Sequence, residues 1–351
     1  MAFKNVVEPG FIVFAFTVGA LINRRRTYRD TDDLEARAPL IDRRTSADTF
    51  SYTRFLKSWP QRVISELDLD RKHNDNWASR FLAKFPFLME IWYWNWTYWS
   101  YQLMRALSAK LIRGNKAVFA LAESHAIKIL HLEQALGIDI EQRFQQYILT
   151  KHPWLMSILA NVYYSHISLG ICFIIYTYTF LPPQTFQRIR RTIAVDNYIA
   201  FVILTLWRCA PPRLLPPEYG FVDVLHKSAN QGTAWNNNSF QLTIAAMPSL
   251  HCGTAFFLAF CMVRYSPHRI LRILAPLWPA AMIVTIIATA NHFVLDAVVG
   301  TMVPFLGWRL NRVVLIFEPW EDWLFSLLRI EKPIRSSGTE TPIKDATEPY
   351  D

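Results

Sequence analysis

Only four cysteines occur in 351 residues, and Cys172, Cys209, Cys252 and Cys261 all lie in or beside apolar stretches with no paired spacing. That excludes a disulfide framework or a cysteine zinc site. The nine histidines form no H-E-x-x-H or H-x-H, and the apolar stretches hold no D-D-x-x-D box of the kind that binds a diphosphate through magnesium. Asp32-Asp33 in the charged amino-terminal segment reads as a solvated pair. The expectation is an activity that needs no metal and no cofactor. No nucleic-acid module accompanies the net charge of +9. The arginines stand beside apolar blocks instead, where they act as topology signals and lipid-headgroup contacts. No A-x-A-like cleavage site follows the first apolar run, Phe11 to Ile22, and Arg24 to Arg26 come after it, which argues against a cleaved signal peptide.

What the chain does have is apolar and aromatic mass in blocks: 52% hydrophobic residues, with 24 Phe, 14 Tyr and 13 Trp. This composition predicts an all-α fold, a polytopic transmembrane helix bundle of about six spans with amphipathic surface helices. Phe11 to Ile22 reads as a short first span or signal anchor. Phe85 to Leu107 is rich in Trp and Tyr but interrupted by Glu90, Asn95 and Gln102, and reads equally as a tilted span or an interfacial anchor. Further spans are expected over Trp154 to Leu181, Ile193 to Trp207, Ser249 to Val263, Ile273 to Thr289 and Phe293 to Leu306. Lys110 to Thr150 is too polar to cross; Val118, Leu121, Ile129, Leu132 and Leu136 recur near helical spacing and predict surface helices. Three regions follow. Residues 1–78 comprise the short anchor and a flexible cytoplasmic segment, 79–310 a membrane-embedded domain, and 311–351 a cytoplasmic amphipathic segment with a disordered tail.

The chemistry concentrates between Ala245 and Thr301. Pro-Ser-Leu-His ends at His251, and His292 stands four residues before Asp296, where on a helix a carboxylate could hold the imidazole. Pro248 and Ser249 before an apolar run predict a helix start, so that His251 faces free backbone N–H groups and Ser249 could offer its hydroxyl to an anion. Arg213, at the Pro211-Pro212 corner, offers a guanidinium fork suited to phosphate. The plainer readings are packing histidines, a helix-cap serine, and bundle hydrogen bonds for Asn161, Tyr164 and His166.

These two histidine motifs, one apolar hairpin apart, resemble the type 2 phosphatidic acid phosphatase superfamily. Trp207 to Pro216, Gly220 to Asp223 and Leu132 to Glu141 further resemble its inositol phosphorylceramide synthase-like branch. The resemblance implies that His292 attacks phosphorus to form a phosphohistidine and that His251 protonates the leaving group. Two departures stand out: Thr285 and Ile286 occupy the positions where the superfamily carries Ser-Arg, and Arg213, with Arg208, stands in for its first motif. The implied substrate is a lipid phosphate ester, with headgroup transfer to a ceramide-like alcohol as one form. A prenyl diphosphate phosphatase or cyclase using the same site is an alternative, as is a non-catalytic membrane lipid-binding protein. The expected partners are membrane lipids.

Positive charge at Arg188 to Arg191, Arg264 to Arg272 and beyond Arg309 places those ends in the cytoplasm and the histidines on the opposite face. This predicts an enzyme of the endoplasmic reticulum or Golgi membrane with a lumenal site. Asn237-Asn238-Ser239 is an N-glycosylation acceptor on that same face. The basic residues of Lys110 to Lys151 run against this placement unless the segment packs on headgroups.

Overall fold

The computed structural model describes residues 2–25, 76–225 and 244–333. The segment holding Asp32-Asp33, the loop with Asn237 and nearly all of the Ser/Thr/Pro-rich tail lie outside the described residues. Among the described residues every regular element is helical, as an all-α fold requires. In order these are α1 (Ala2–Ile22), α2 (Trp77–Lys84), α3 (Leu88–Ile112), α4 (Lys116–Leu136), α5 (Glu141–Lys151), α6 (Pro153–Tyr164) and α7 (His166–Phe180). There follow α8 (Pro183–Leu206), α9 (Leu250–Tyr265), α10 (Arg269–Leu274), α11 (Leu277–Ala288), α12 (Val294–Leu310) and α13 (Glu318–Leu327).

Local chemistry sets the boundaries. Asn115 accepts the Val118 N–H at 3.3 Å to open α4, and Gly137 ends it at φ 69°, a conformation glycine adopts without cost. The Pro182-Pro183 pair stops α7 and starts α8 at its first turn. The expected single span over Trp154 to Leu181 is instead two helices bent by 45°. At the break Ser165 Oγ donates to the Val162 carbonyl at 2.9 Å and His166 Nδ1 bonds the Tyr163 carbonyl at 2.8 Å, so side chains replace the backbone ladder. The span expected from Ile193 starts ten residues earlier, at Pro183, which puts Arg188, Arg190 and Arg191 inside α8 rather than in a loop. Pro276 likewise divides the hairpin's return into α10 and α11.

Among the described residues, Arg269–Ala288 is the one helical run long and apolar enough by itself to cross a membrane. The bent pair α6 and α7 reaches that measure together, and Pro9–Ile22 and Leu250–Tyr265 are apolar but shorter. Other long helices fall below it because polar side chains interrupt them, such as Glu90, Asn95 and Arg105 in α3 and Asp196 in α8.

The core gathers around two close approaches. Gly19 of α1 lets the helix settle on Phe87, where an added Cβ would lie 2.7 Å from the ring, and Asn23 bonds Thr179 of α7 at 3.0 Å. More consequential is the crossing of α9 and α12. A Cβ on Gly253 would fall 2.3 Å from the Gly300 carbonyl oxygen, and one on Gly300 would fall 2.3 Å from the Ser249 carbonyl oxygen. The same crossing joins the Ser249 N–H to the Asp296 carbonyl at 3.0 Å. Both helices therefore begin side by side, and the residues of their first turns converge. Gly300→Ala should force them apart and lower stability by about 1–3 kcal/mol, the usual range for overpacking; thermal unfolding of the purified chain in detergent reads this directly.

Candidate active site

His292 sits in the turn between α11 and α12, preceded by Ala290 in the left-handed region at φ 50°. Its Nδ1 lies 2.7 Å from the Ala246 carbonyl oxygen. A carbonyl can only accept, so Nδ1 carries a proton and the lone pair of the neutral ring is on Nε2; His292 is among the residues that line the cavity. The pairing with Asp296 expected from the sequence is present as an ion-pair contact and not as the hydrogen bond that orients the ring. His292 precedes the helix rather than riding on it, and Asp296 Oδ2 is 3.7 Å from Nδ1. The fully buried Asp296 carboxylate instead accepts the Phe293 N–H at 2.9 Å, fixing the backbone that carries His292.

His251 lies in the first turn of α9, 5.8 Å from His292 between ring centroids. Tyr163 stacks against its face at 4.3 Å and His166 meets it edge-on at 4.5 Å. Ser249, expected to offer its hydroxyl to an anion, is fully buried and accepts the Cys252 N–H at 3.4 Å. It caps α9 and does not line the cavity.

Arg213 occupies a 3-10 turn, Pro212–Leu214, whose backbone N–H reaches the Ala290 carbonyl at 3.0 Å. Its guanidinium donates to Asn291 Oδ1 and stands 3.6 Å from Asp223 Oδ2, while Asn291 Nδ2 donates to Thr289 Oγ1 at 2.8 Å. Burial pulls its pKa below the ordinary value, opposed by Tyr163 and Asp223. Arg208 turns elsewhere, donating to Ser108 of α3 at 3.0 Å, and takes no place beside it. The second cation at the site is Arg105 of α3, which lines the cavity and lies near enough to act electrostatically on both His251 and Tyr163. Its position in an aromatic helix far away in sequence gave no sign of this. Ile286, at the place of the superfamily's arginine, is fully buried in the core with Met282 and Ala297.

Behind His292 stand two carboxylates, Glu133 and Glu141, from the Leu132 to Glu141 stretch. Val294 N–H donates to Glu141 Oε1 at 2.8 Å, and Leu295 N–H donates to Glu133 Oε1 at 2.7 Å. With Asp296 they satisfy three successive N–H groups that a helix start leaves open, and their charge suits its positive end. The remaining oxygens, Oε2 of Glu133 and of Glu141, are buried without a donor. A Glu133 carboxyl kept protonated by burial can donate towards Glu141. Burial foremost, then the hydrogen bond with Glu141, pushes Glu133 from its ordinary 4.5 up to about 9. The L-E-Q-A-L-G-I-D-I-E pattern carried both residues, but nothing in its spacing said that they meet at another helix.

His251, His292, Arg213 and Arg105 thus gather at one end of a cavity of about 790 Å³. Two imidazoles and two guanidiniums around an open space can hold a phosphate, attack it and move a proton. A family model described as the PAP2 superfamily matches residues 127–310, from within α4 to the end of α12. No curated protein and no solved structure matches the chain.

The raised pKa of Glu133 sets a pH dependence. Because the folded-state pKa of Glu133 is raised, its stabilising contribution is complete below the ordinary value of 4.5 and is lost as pH rises towards about 9. Melting temperature should therefore fall between neutral pH and about 9 in the wild type. Glu133→Gln, which keeps a donor towards Glu141 and cannot ionise, should flatten that slope; an unaltered slope would place the proton elsewhere.

Proposed function

The chain belongs to the PAP2 superfamily, and we propose that it is an integral-membrane enzyme that transfers a phosphoryl group from a lipid phosphate ester by way of a phosphohistidine. Membership implies phosphatase or phosphotransferase action on phosphate esters. The observation that carries the finer reading is the Ala246 carbonyl bond, which leaves the lone pair of the neutral ring on Nε2 of a histidine that lines the same cavity as His251 and Arg213.

In the first step Nε2 attacks phosphorus, a P–N bond forms, and the P–O bond to the leaving alcohol breaks. Arg213 and Arg105 hold the phosphoryl oxygens, and Asn291 and Asp223 keep the Arg213 fork in place. His251, as imidazolium, gives its proton to the departing oxygen; an anionic phosphate beside it favours that charged form. In the second step an acceptor hydroxyl surrenders its proton to His251 and attacks phosphorus, and the P–N bond breaks. No metal or cofactor is part of this scheme. Resemblance of Trp207 to Pro216, Gly220 to Asp223 and Leu132 to Glu141 to the inositol phosphorylceramide synthase-like branch favours an alcohol acceptor over water. Two guanidiniums at the site compensate for the arginine replaced by Ile286, which weighs against a non-catalytic lipid-binding role.

A membrane setting is supported by large apolar side chains left exposed around the helices, among them Val13, Phe14, Trp99, Leu103, Met302 and Phe305. In this reading residues 79–310 form the embedded domain, with about six crossings that include helices shortened or bent by polar groups. α9 and α12 start at the histidines and end at Arg264 and Arg309, so the basic ends lie away from the site. That arrangement supports a lumenal site in the secretory pathway.

His292→Ala should abolish donor consumption, whereas His251→Ala should retain turnover of an activated nitrophenyl phosphate ester whose leaving group needs no proton. Near wild-type turnover in His292→Ala would contradict the mechanism. Arg213→Lys keeps the charge but loses the fork, and should lower kcat/KM by roughly tenfold to a hundredfold. For the topology, an acceptor site added beside Asn237 should gain an endoglycosidase-sensitive glycan; glycosylation of an insertion between Arg264 and Arg272 instead would invert the orientation.

A further inference from the structure

The cavity extends well beyond what a phosphate needs. Along α3 its wall runs from Arg105 at the histidine end to Glu90 at the other. Fifteen residues separate them, about 22 Å at the helical rise per residue. On α7 the wall runs from His166 through Ile167, Ser168 and Gly170 to Ile174, and on α8 from Leu204 through Asn197 and Ala194 to Arg190. The α3 side is aromatic and stiff, with Trp94 stacked on Tyr98 at 5.1 Å and 3°.

The far end is lined by polar groups that satisfy one another. Arg190 donates to Glu90 at 3.1 Å and lies 3.8 Å over the Tyr93 ring, and the Tyr93 hydroxyl donates to Glu321 of α13 at 2.6 Å. An apolar chain reaching this floor would have to strip water from a buried ion pair or break it, which is costly. Gly170 marks the passage between the two ends. It stands one turn from His166, and a Cβ built on it meets no atom within 4 Å.

We propose that this cavity is a length-limited channel for one hydrocarbon chain of the substrate, so that the reacting ester is a single-chain phosphate, a long-chain alkyl or isoprenyl type, and not a diacyl lipid. The inference rests on the phosphoryl transfer proposed above and narrows its donor. A volume of about 790 Å³ matches a pocket for one drug-sized molecule. Two acyl tails would leave one outside. The depth also exceeds the roughly 15 Å that half of a 30 Å hydrocarbon core gives an ordinary tail. Phosphate at Arg213 and Arg105, chain along Gly170 and Ile174, and chain end above Arg190 then account for the whole cavity.

The test uses the full chain in lipid nanodiscs and follows consumption of straight-chain alkyl monophosphates from octyl to eicosyl, and of diacyl phosphatidic acid, with water and with dodecanol as acceptors. The wild type should show kcat/KM rising with chain length to a limit and then falling, and should prefer the best alkyl donor to the diacyl donor by at least about tenfold, since single methylenes in such a pocket carry effects of this order. Gly170→Leu fills open space without touching the histidines, and should lower the ratio of long-chain to short-chain turnover by about tenfold or more. Gly170→Ala, a gentler change that also favours the helix, should shift the profile in the same direction. Consumption independent of chain length, equal use of the diacyl donor, or an unshifted profile in a stably folded Gly170→Leu would overturn the channel and leave the chemistry standing. A wild type that consumes no donor of any length would overturn the proposed chemistry itself.

Discussion

Everything at the site depends on two helices touching backbone to backbone. α9 and α12 cross where neither Gly253 nor Gly300 could carry a side chain, and this contact brings the two helix starts together. His251 and His292 come from segments 41 residues apart, yet their rings lie 5.8 Å apart because the helices they introduce share this crossing. The Ser249 N–H to Asp296 carbonyl bond and the Ala246 carbonyl to His292 bond are consequences of the same approach. A helix pair held at ordinary side-chain distance would move the two imidazoles apart.

The close crossing leaves many polar groups in an apolar interior, and the fold answers most of those around the two helix starts with specific partners. Three carboxylates cap the start of α12, Ser249 caps α9, and Thr289 and Asn291 relay hydrogen bonds to Arg213. Such groups are costly to bury unpaired, and their pairing fixes orientation as a by-product. His292 is held from its Nδ1 side by a backbone carbonyl, a partner that does not titrate. The tautomer of its neutral ring is therefore set by a backbone carbonyl, with Asp296 Oδ2 3.7 Å from the same nitrogen. Glu133 and Glu141 support the backbone on which the imidazole rides, from helices that precede the histidines by more than a hundred residues.

The all-helical class, the helix start after Ser249 and the convergence of Arg213, His251 and His292 were legible from residues alone, whereas the start of α8 at Pro183 was not. The legible features rest on local signals: apolar runs, capping residues and prolines. Three further features were not legible for physical reasons. Asp296 looked like the partner of His292 because the two are one turn apart, but the helix begins between them, and a cap residue turns its carboxylate to the backbone. Ser249 was consumed by its own cap. Arg105 and the pair Glu133 and Glu141 act through tertiary contacts across α3, α4 and α5, which no spacing rule reveals. The bend at Ser165 also escaped notice, since its cause is two side-chain to backbone bonds within an otherwise continuous apolar run.

The central claim is that Nε2 of His292 becomes covalently attached to phosphorus during turnover. Rapid quenching of the wild-type protein with a radiolabelled alkyl phosphate, followed by peptide mapping and phosphorus NMR of the labelled peptide, addresses it most directly. A phosphoramidate, acid-labile and base-stable, on the peptide containing His292 and attached through Nε2 is the predicted result. Label on His251, attachment through Nδ1, or turnover with no trapped protein-bound phosphorus under quench conditions that preserve a phosphohistidine standard would contradict it.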